Sequence, residues 1–215
     1  MRLKAEYHYA KQDYANIHFN YTSGHKVSFD DWRKGRKPIV KGNKVRFSAA
    51  GETVDNSYRN FRRYMTQIFS YAGTLSLSKE MDSIKVKDIH PGDAFIVGGL
   101  PGHAVIVLDV VGHEGGEKMF LLAQSYMPAQ DMHVLKNPNA AQDDPWYSAN
   151  FLAFLDTPEW QFSLKDLKRF KNQNVSRFFD SAGSRVDSPH IAGSKSLTTL
   201  GMIQNFPSKA SPLLI

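Results

Sequence analysis

The 215-residue chain contains no cysteine. That excludes disulfides, thiolate metal sites and a cysteine nucleophile within these residues. No run approaches the ~20 apolar residues of a membrane-spanning helix. The polar amino terminus, bearing Arg, Lys and Glu, has no apolar signal segment. With no targeting signal the chain is expected in the cytoplasm if it is complete as written. No internal repeat is visible. The eight histidines show neither His-Glu-x-x-His nor zinc spacing. His8, His18, His25, His113 and His133 read as surface or core-edge residues, and no metal or cofactor is expected. Gly98-Gly99 and Gly102 lack the lysine and following helix of a phosphate loop. Glu80, Asp82 and Asp93 make no recognisable acid/base pair, although glycosidase carboxylates can come from distant strands.

What is present describes an ordinary soluble globule: 41% hydrophobic and 22% charged residues, enough for one domain with an ample core. The net charge of +6 raises the question of an anionic partner. The basic residues are scattered, however, with small clusters only at Arg33-Lys34-Arg36-Lys37 and Arg59-Arg62-Arg63. They read as solvated surface, and nucleic acid is not expected as a partner.

Met1 to about Asp13 reads as a helix, because Leu3, Tyr7, Ala10 and Tyr14 fall three or four apart. It shows no capping residue at its start, and Arg2 and Lys4 oppose the macrodipole there. The expectation is a helix whose opening turn precedes Met1, with a helix fraying from Met1 as the alternative. Ile17–Tyr21 alternates as a strand, a polar aromatic loop carries Trp32, and 39–47 reads as a hairpin turned at 41–44. The clearest helix runs from Ser57 to Ala72, with Tyr58, Phe61, Met65, Ile68 and Phe69 on one face and Gly73 just beyond its end. Pro91-Gly92 suits the centre of a type II turn. Ala94–Val97 and Ala104–Val111 are β-prone, and His103 stands at the mouth of the second strand. Strands are expected over 118–125 and 132–135. A loop-rich stretch with Trp146, Tyr147, Phe151 and Trp160 follows, then a short helix over 163–170 capped by Ser163. Residues 1–170 thus form a single domain. Beyond Lys171 periodicity vanishes and Ser, Gly and Pro accumulate, so 171–215 reads as a disordered or adventitious tail. The fold class is α+β: an antiparallel sheet of about five or six strands packed by two main helices.

The Pro91-Gly92-Asp93 turn before one strand and the Gly102-His103 opening of the next resemble the core of papain-like bacterial cell-wall hydrolases, the CHAP and NlpC kind. That resemblance implies an imidazole, here His103, acting as general base for a cysteine at a helix amino terminus. The stretches 1–7, 17–24, 32–35, 71–80, 101–107, 121–130 and 157–160 are similar to a family of exported bacterial proteins catalogued as a domain of unknown function. Membership implies an exported or cell-envelope setting. In that family a Cys-Ala-Asp segment precedes the Met-Arg-Leu helix. A thiol there would sit near a helix amino terminus, where the dipole favours thiolate.

A third polar group normally orients the imidazole. Gln124, on the following strand, is the candidate, with the satisfaction of a sheet end as the alternative. Asp109 is less suited, lying about 20 Å down the strand at ~3.3 Å per residue. Trp32, Tyr126 and Trp146 are candidate substrate-binding residues, and Tyr21 and Trp160 could line the same sugar or peptide groove; core packing is the competing role for each. The leading expectation is a fragment of a papain-like cysteine hydrolase, acting on an amide or peptide bond and inactive as written. The second is a noncatalytic envelope module binding glycan or protein, sensitive to Trp32→Ala. A nucleic-acid-binding basic surface is the third and weakest, and it requires affinity that falls steeply with salt.

Overall fold

The protein is represented by a computed structural model, which describes residues 1–112, 116–126, 130–141 and 144–171. In chain order the elements are helix α1 (Arg2–Ala10), strands β1 (His18–Asn20) and β2 (Lys26–Ser28), helix α2 (Phe29–Arg33), strands β3 (Pro38–Lys41) and β4 (Lys44–Phe47), and helices α3 (Tyr58–Tyr71) and α4 (Thr74–Lys79). Strands β5 (Met81–Ser83), β6 (Ala94–Val97), β7 (His103–Val111), β8 (Met119–Gln124), β9 (His133–Val134), β10 (Trp146–Ser148), β11 (Phe154–Asp156), β12 (Gln161–Ser163) and β13 (Leu167–Phe170) follow. The class is α+β with antiparallel sheets. Among the described residues the largest sheet has seven strands, one or two more than expected. The chain divides into two compact units: Met1–Ser83 with Ile96–Ala104 and Lys168–Lys171, and Ile84–Phe95 with Val105–Leu167. All but the first residue of the expected tail falls outside the described residues, as do Met127 and Pro128.

The first unit is built around α3. Ser57 caps it, its hydroxyl accepting from the Asn60 amide at 3.2 Å. Phe61, Tyr64, Met65 and Ile68 form the buried face. Phe69 is half-buried and Tyr58 exposed, so the apolar stripe is centred nearer Tyr64 than the expected set. Tyr9 of α1 stacks on Phe61 at 4.4 Å, and Phe29 of α2 meets Phe61 edge-on at 5.5 Å. Each buried ring of this kind contributes roughly 1.5–3 kcal/mol by removal from water. In the β1–β2 hairpin, Phe19 opposes Val27 on the buried face. The other face carries His18, Asn20, Lys26 and Ser28.

Several expectations are corrected here. Helix α1 ends at Ala10 rather than Asp13, and Gln12 takes a positive φ of 55°. Its buried residues are Ala5 and His8 rather than the expected stripe. The loop around Trp32 contains α2, whose cap is Ser28, accepting from Asp31 N at 3.1 Å. Gly73 does not follow the end of a helix in αL; it precedes α4, with its N–H donating to Ser76 Oγ at 3.1 Å. The hairpin of β3 and β4, by contrast, turns at 41–44 as expected, with Lys41 opposite Lys44 and Gly42 at φ 56°.

In the second unit the turn at His90–Asp93 closes by an Asp93 N to His90 O bond of 3.2 Å, with Gly92 at φ 91°. The buried Asp93 carboxylate accepts from His90 N at 2.7 Å, which pins the turn. Strand β8 pairs with β7 on one side and β10 on the other. The core stacks Phe95, Phe120 and Tyr147, with successive ring centroids 5.9 and 5.8 Å apart. The helix expected over 163–170 is absent. Ser163 and Asp166 do cap a turn, but it is a single 3-10 turn. Leu167 is buried and β13 then pairs with β5 in the first unit, Phe170 opposite Met81. Pairing with an available strand outweighs a weak four-residue helical signal.

Candidate functional site

His103 is the first residue of β7 and is buried, with 8% of its surface exposed. The loop that delivers it, Gly98 to Gly102, lies against the start of α4. A Cβ added at Gly98 would come within 2.3 Å of Ser78 Oγ and 3.0 Å of the Thr74 carbonyl. One added at Gly102 would come within 2.3 Å of Thr74 Oγ1 and 2.6 Å of the Gly99 carbonyl. The glycines therefore permit a backbone approach that any other residue would prevent. This fixes where β7 begins, and so where its imidazole stands. The sequence reading identified the Gly-His strand opening. It did not find α4, the surface on which the loop rests.

Titratable groups cluster elsewhere in the first unit. The Lys4 ammonium lies 4.3 Å from the Phe170 ring centroid and 5.5 Å from that of Phe19. Burial lowers its pKa to about 8, against the raising influence of the Glu80 carboxylate, with Lys26 lowering it further. Glu80, the residue that ends α4, accepts from the Asn20 amide at 2.7 Å, and burial is the main cause of its raised pKa. His18 is held down to about 4 by burial first, then by Lys26 and Lys4. In the sequence Lys4 reads only as a charge opposing the helix dipole. Nothing in the periodicity of α1 marks it as a half-buried cation between two rings.

Gln124 ends β8, is 2% exposed, and donates from Nε2 to a Glu159 carboxylate oxygen at 2.6 Å. It belongs to the second unit and His103 to the first. Trp32 is buried. Its indole N–H donates to Asn60 Oδ1 at 2.9 Å, its ring meets Tyr64 edge-on at 5.8 Å, and the Lys37 ammonium lies 5.0 Å from it. Those are the contacts of a packed core tryptophan. Tyr126 is half-buried, and Trp146 of β10, also half-buried, opposes Leu121 of β8. Tyr21 is buried at 1% exposure, and its phenol is pushed up to about 12, chiefly by that burial. Asp82 lies 3.6 Å from the Lys171 ammonium, so Glu80, Asp82 and Asp93 each have a local partner. The basic cluster at 33–37 is engaged locally as well: Arg33 and Lys34 both pair with Asp30, and Arg36 lies 5.1 Å from the Phe47 ring.

The family model described as domain of unknown function 4846 matches residues 1–169. The chain belongs to this family. No curated protein and no solved structure matches it. DUF4846 membership therefore spans every element described above except the last residue of β13. Among the described residues no group of three or more His, Asp or Glu side chains is arranged to hold a metal ion. No helix among them is long and apolar enough to cross a membrane.

Proposed function

We propose that the first unit is the histidine-bearing part of a papain-like cysteine hydrolase acting on an amide bond, in an exported, cell-envelope setting. His103 serves as general base. The observation that carries this reading is a buried imidazole at the first position of the longest strand, delivered by a loop whose glycines seat it on α4. Catalytic groups are commonly presented in this way, from a loop end on a rigid scaffold. An imidazole so placed lowers a neighbouring thiol's pKa and later returns the proton to the leaving amine. The 215 residues contain no thiol, so the reading needs one supplied from outside them, at the amino-terminal side of α1. In its own compact unit α1 is fixed by Tyr9 on Phe61 and Lys4 over Phe170, a firm base for a group preceding it.

The noncatalytic module remains the competitor, but its anchor Trp32 has its indole N–H engaged in the core. The test compares hydrolysis of a fluorogenic peptide-amide library by two proteins. One is residues 1–215; the other is the same reading frame extended upstream through its first cysteine. Turnover is expected only from the extended protein, and His103→Ala should reduce it at least a thousandfold, the scale of losing a triad member. Turnover by residues 1–215, or turnover indifferent to His103→Ala, contradicts the proposal.

A further inference from the structure

We propose that the outward face of the β11–β12 hairpin, in the second unit, is a saccharide-binding face built from Phe154, Asp156, Gln161 and Asn139. This inference stands independently of the hydrolase reading. The register sets Phe154 opposite Ser163 and Asp156 opposite Gln161. Alternation along each strand therefore places these four on one face, while Leu155 and Phe162 turn inward, 4% and 0% exposed. Burial of that inner pair fixes the hairpin, so the outer face is carried on regular structure rather than on a loose loop.

That face combines two features. Phe154 is 58% exposed. Two residues along the same strand, the Asp156 carboxylate accepts from Gln161 Nε2 at 2.7 Å and from Asn139 Nδ2 at 3.3 Å. Those bonds, Gln161's first and then Asn139's, also hold its pKa below the ordinary range, so the group is an ionised acceptor. An amide carries two N–H donors and a carbonyl acceptor, and a carboxylate can take several bonds. The two amides thus orient the carboxylate while retaining capacity for a ligand.

The chemistry that fits is a pyranose. Its one face presents C–H groups to the negative face of an aromatic ring, and its rim carries hydroxyls that each donate and accept. A purely apolar partner would cover the Asp156 carboxylate without pairing it, which is costly. An anionic partner would be repelled by it. A patch of this size gives weak affinity, with a dissociation constant on the order of 1 mM.

The test uses the whole 215-residue chain, 15N-labelled and titrated separately with chitotetraose and maltotetraose. Saturable shifts confined to amides of 154–156, 161–163 and Asn139 are expected with at least one of the two. Phe154→Ala should weaken binding about tenfold, the scale of one aromatic contact. Gln161→Ala should weaken it without disturbing the spectrum elsewhere, which separates loss of ligand contact from loss of fold. No saturable shift of those amides with either saccharide at tens of millimolar overturns the proposal. So does binding that Phe154→Ala leaves unchanged, or occupation of this face by a lysine-rich peptide when neither saccharide binds.

Discussion

Lys4 is a cation held where water is scarce. Its pKa in the folded protein, about 8, lies below the ordinary 10.5. Below pH 8 both folded and unfolded chains hold the proton, and the cost of burying the charge is fully present. Between pH 8 and 10.5 the unfolded chain holds more protons than the folded one, so stability rises with pH. A depression of this size corresponds to about 3 kcal/mol as an upper figure. Urea unfolding of the wild type from pH 7 to 9.5 should therefore show a rise that is reduced in Lys4→Met, in a window below ordinary tyrosine ionisation. The amino terminus, lowered to about 6 chiefly by burial, supplies the part of the rise near pH 7–8 that the variant keeps. A variant curve parallel to the wild type would remove Lys4 from the account. Residue-level features of this kind were illegible in the sequence. Lys4, Glu80, Phe19 and Phe170 come together only through long-range pairing, and no local spacing encodes them. Trp32 likewise reads in sequence as an aromatic in a polar loop, because its partner Asn60 lies 28 residues away.

Elements were legible in proportion to their length and punctuation. Helix α3 has fourteen residues, a Ser57 cap and a sustained apolar face, and it lies within a residue of expectation. The β6 strand and the Gly-His opening of β7 were marked by Pro-Gly and Gly-rich breaks on either side. Helices α2 and α4 have five and six residues, too few for a 3.6-residue period to show. The stretch 163–170 carries a true capping signature, yet its second half pairs as a strand, because tertiary pairing overrides a weak local preference. The seat of the β7 loop on α4 gives an element-scale expectation. Gly102→Ala should destabilise the protein by about 1–3 kcal/mol through overpacking against Thr74 and the Gly99 backbone. Chemical denaturation measures this directly. An unchanged midpoint would show that the loop is not held as described.

At the scale of the whole molecule, the α+β class with antiparallel sheets was readable from strand-length runs and turn residues, and family membership from stretches spread across 1–160. The division into two compact units was not readable, because β6 and β7 are each shared between units along the chain. The proposed function rests on how one imidazole would meet a thiol that these 215 residues lack. The most direct measurement is the pH dependence of iodoacetamide alkylation in the protein extended upstream through its first cysteine, with and without His103→Ala. The wild type should alkylate with a midpoint well below the ordinary thiol value of ~8.5, and His103→Ala should move that midpoint toward it. A midpoint near the ordinary value in both proteins, or a reading frame with no upstream cysteine, would contradict the account.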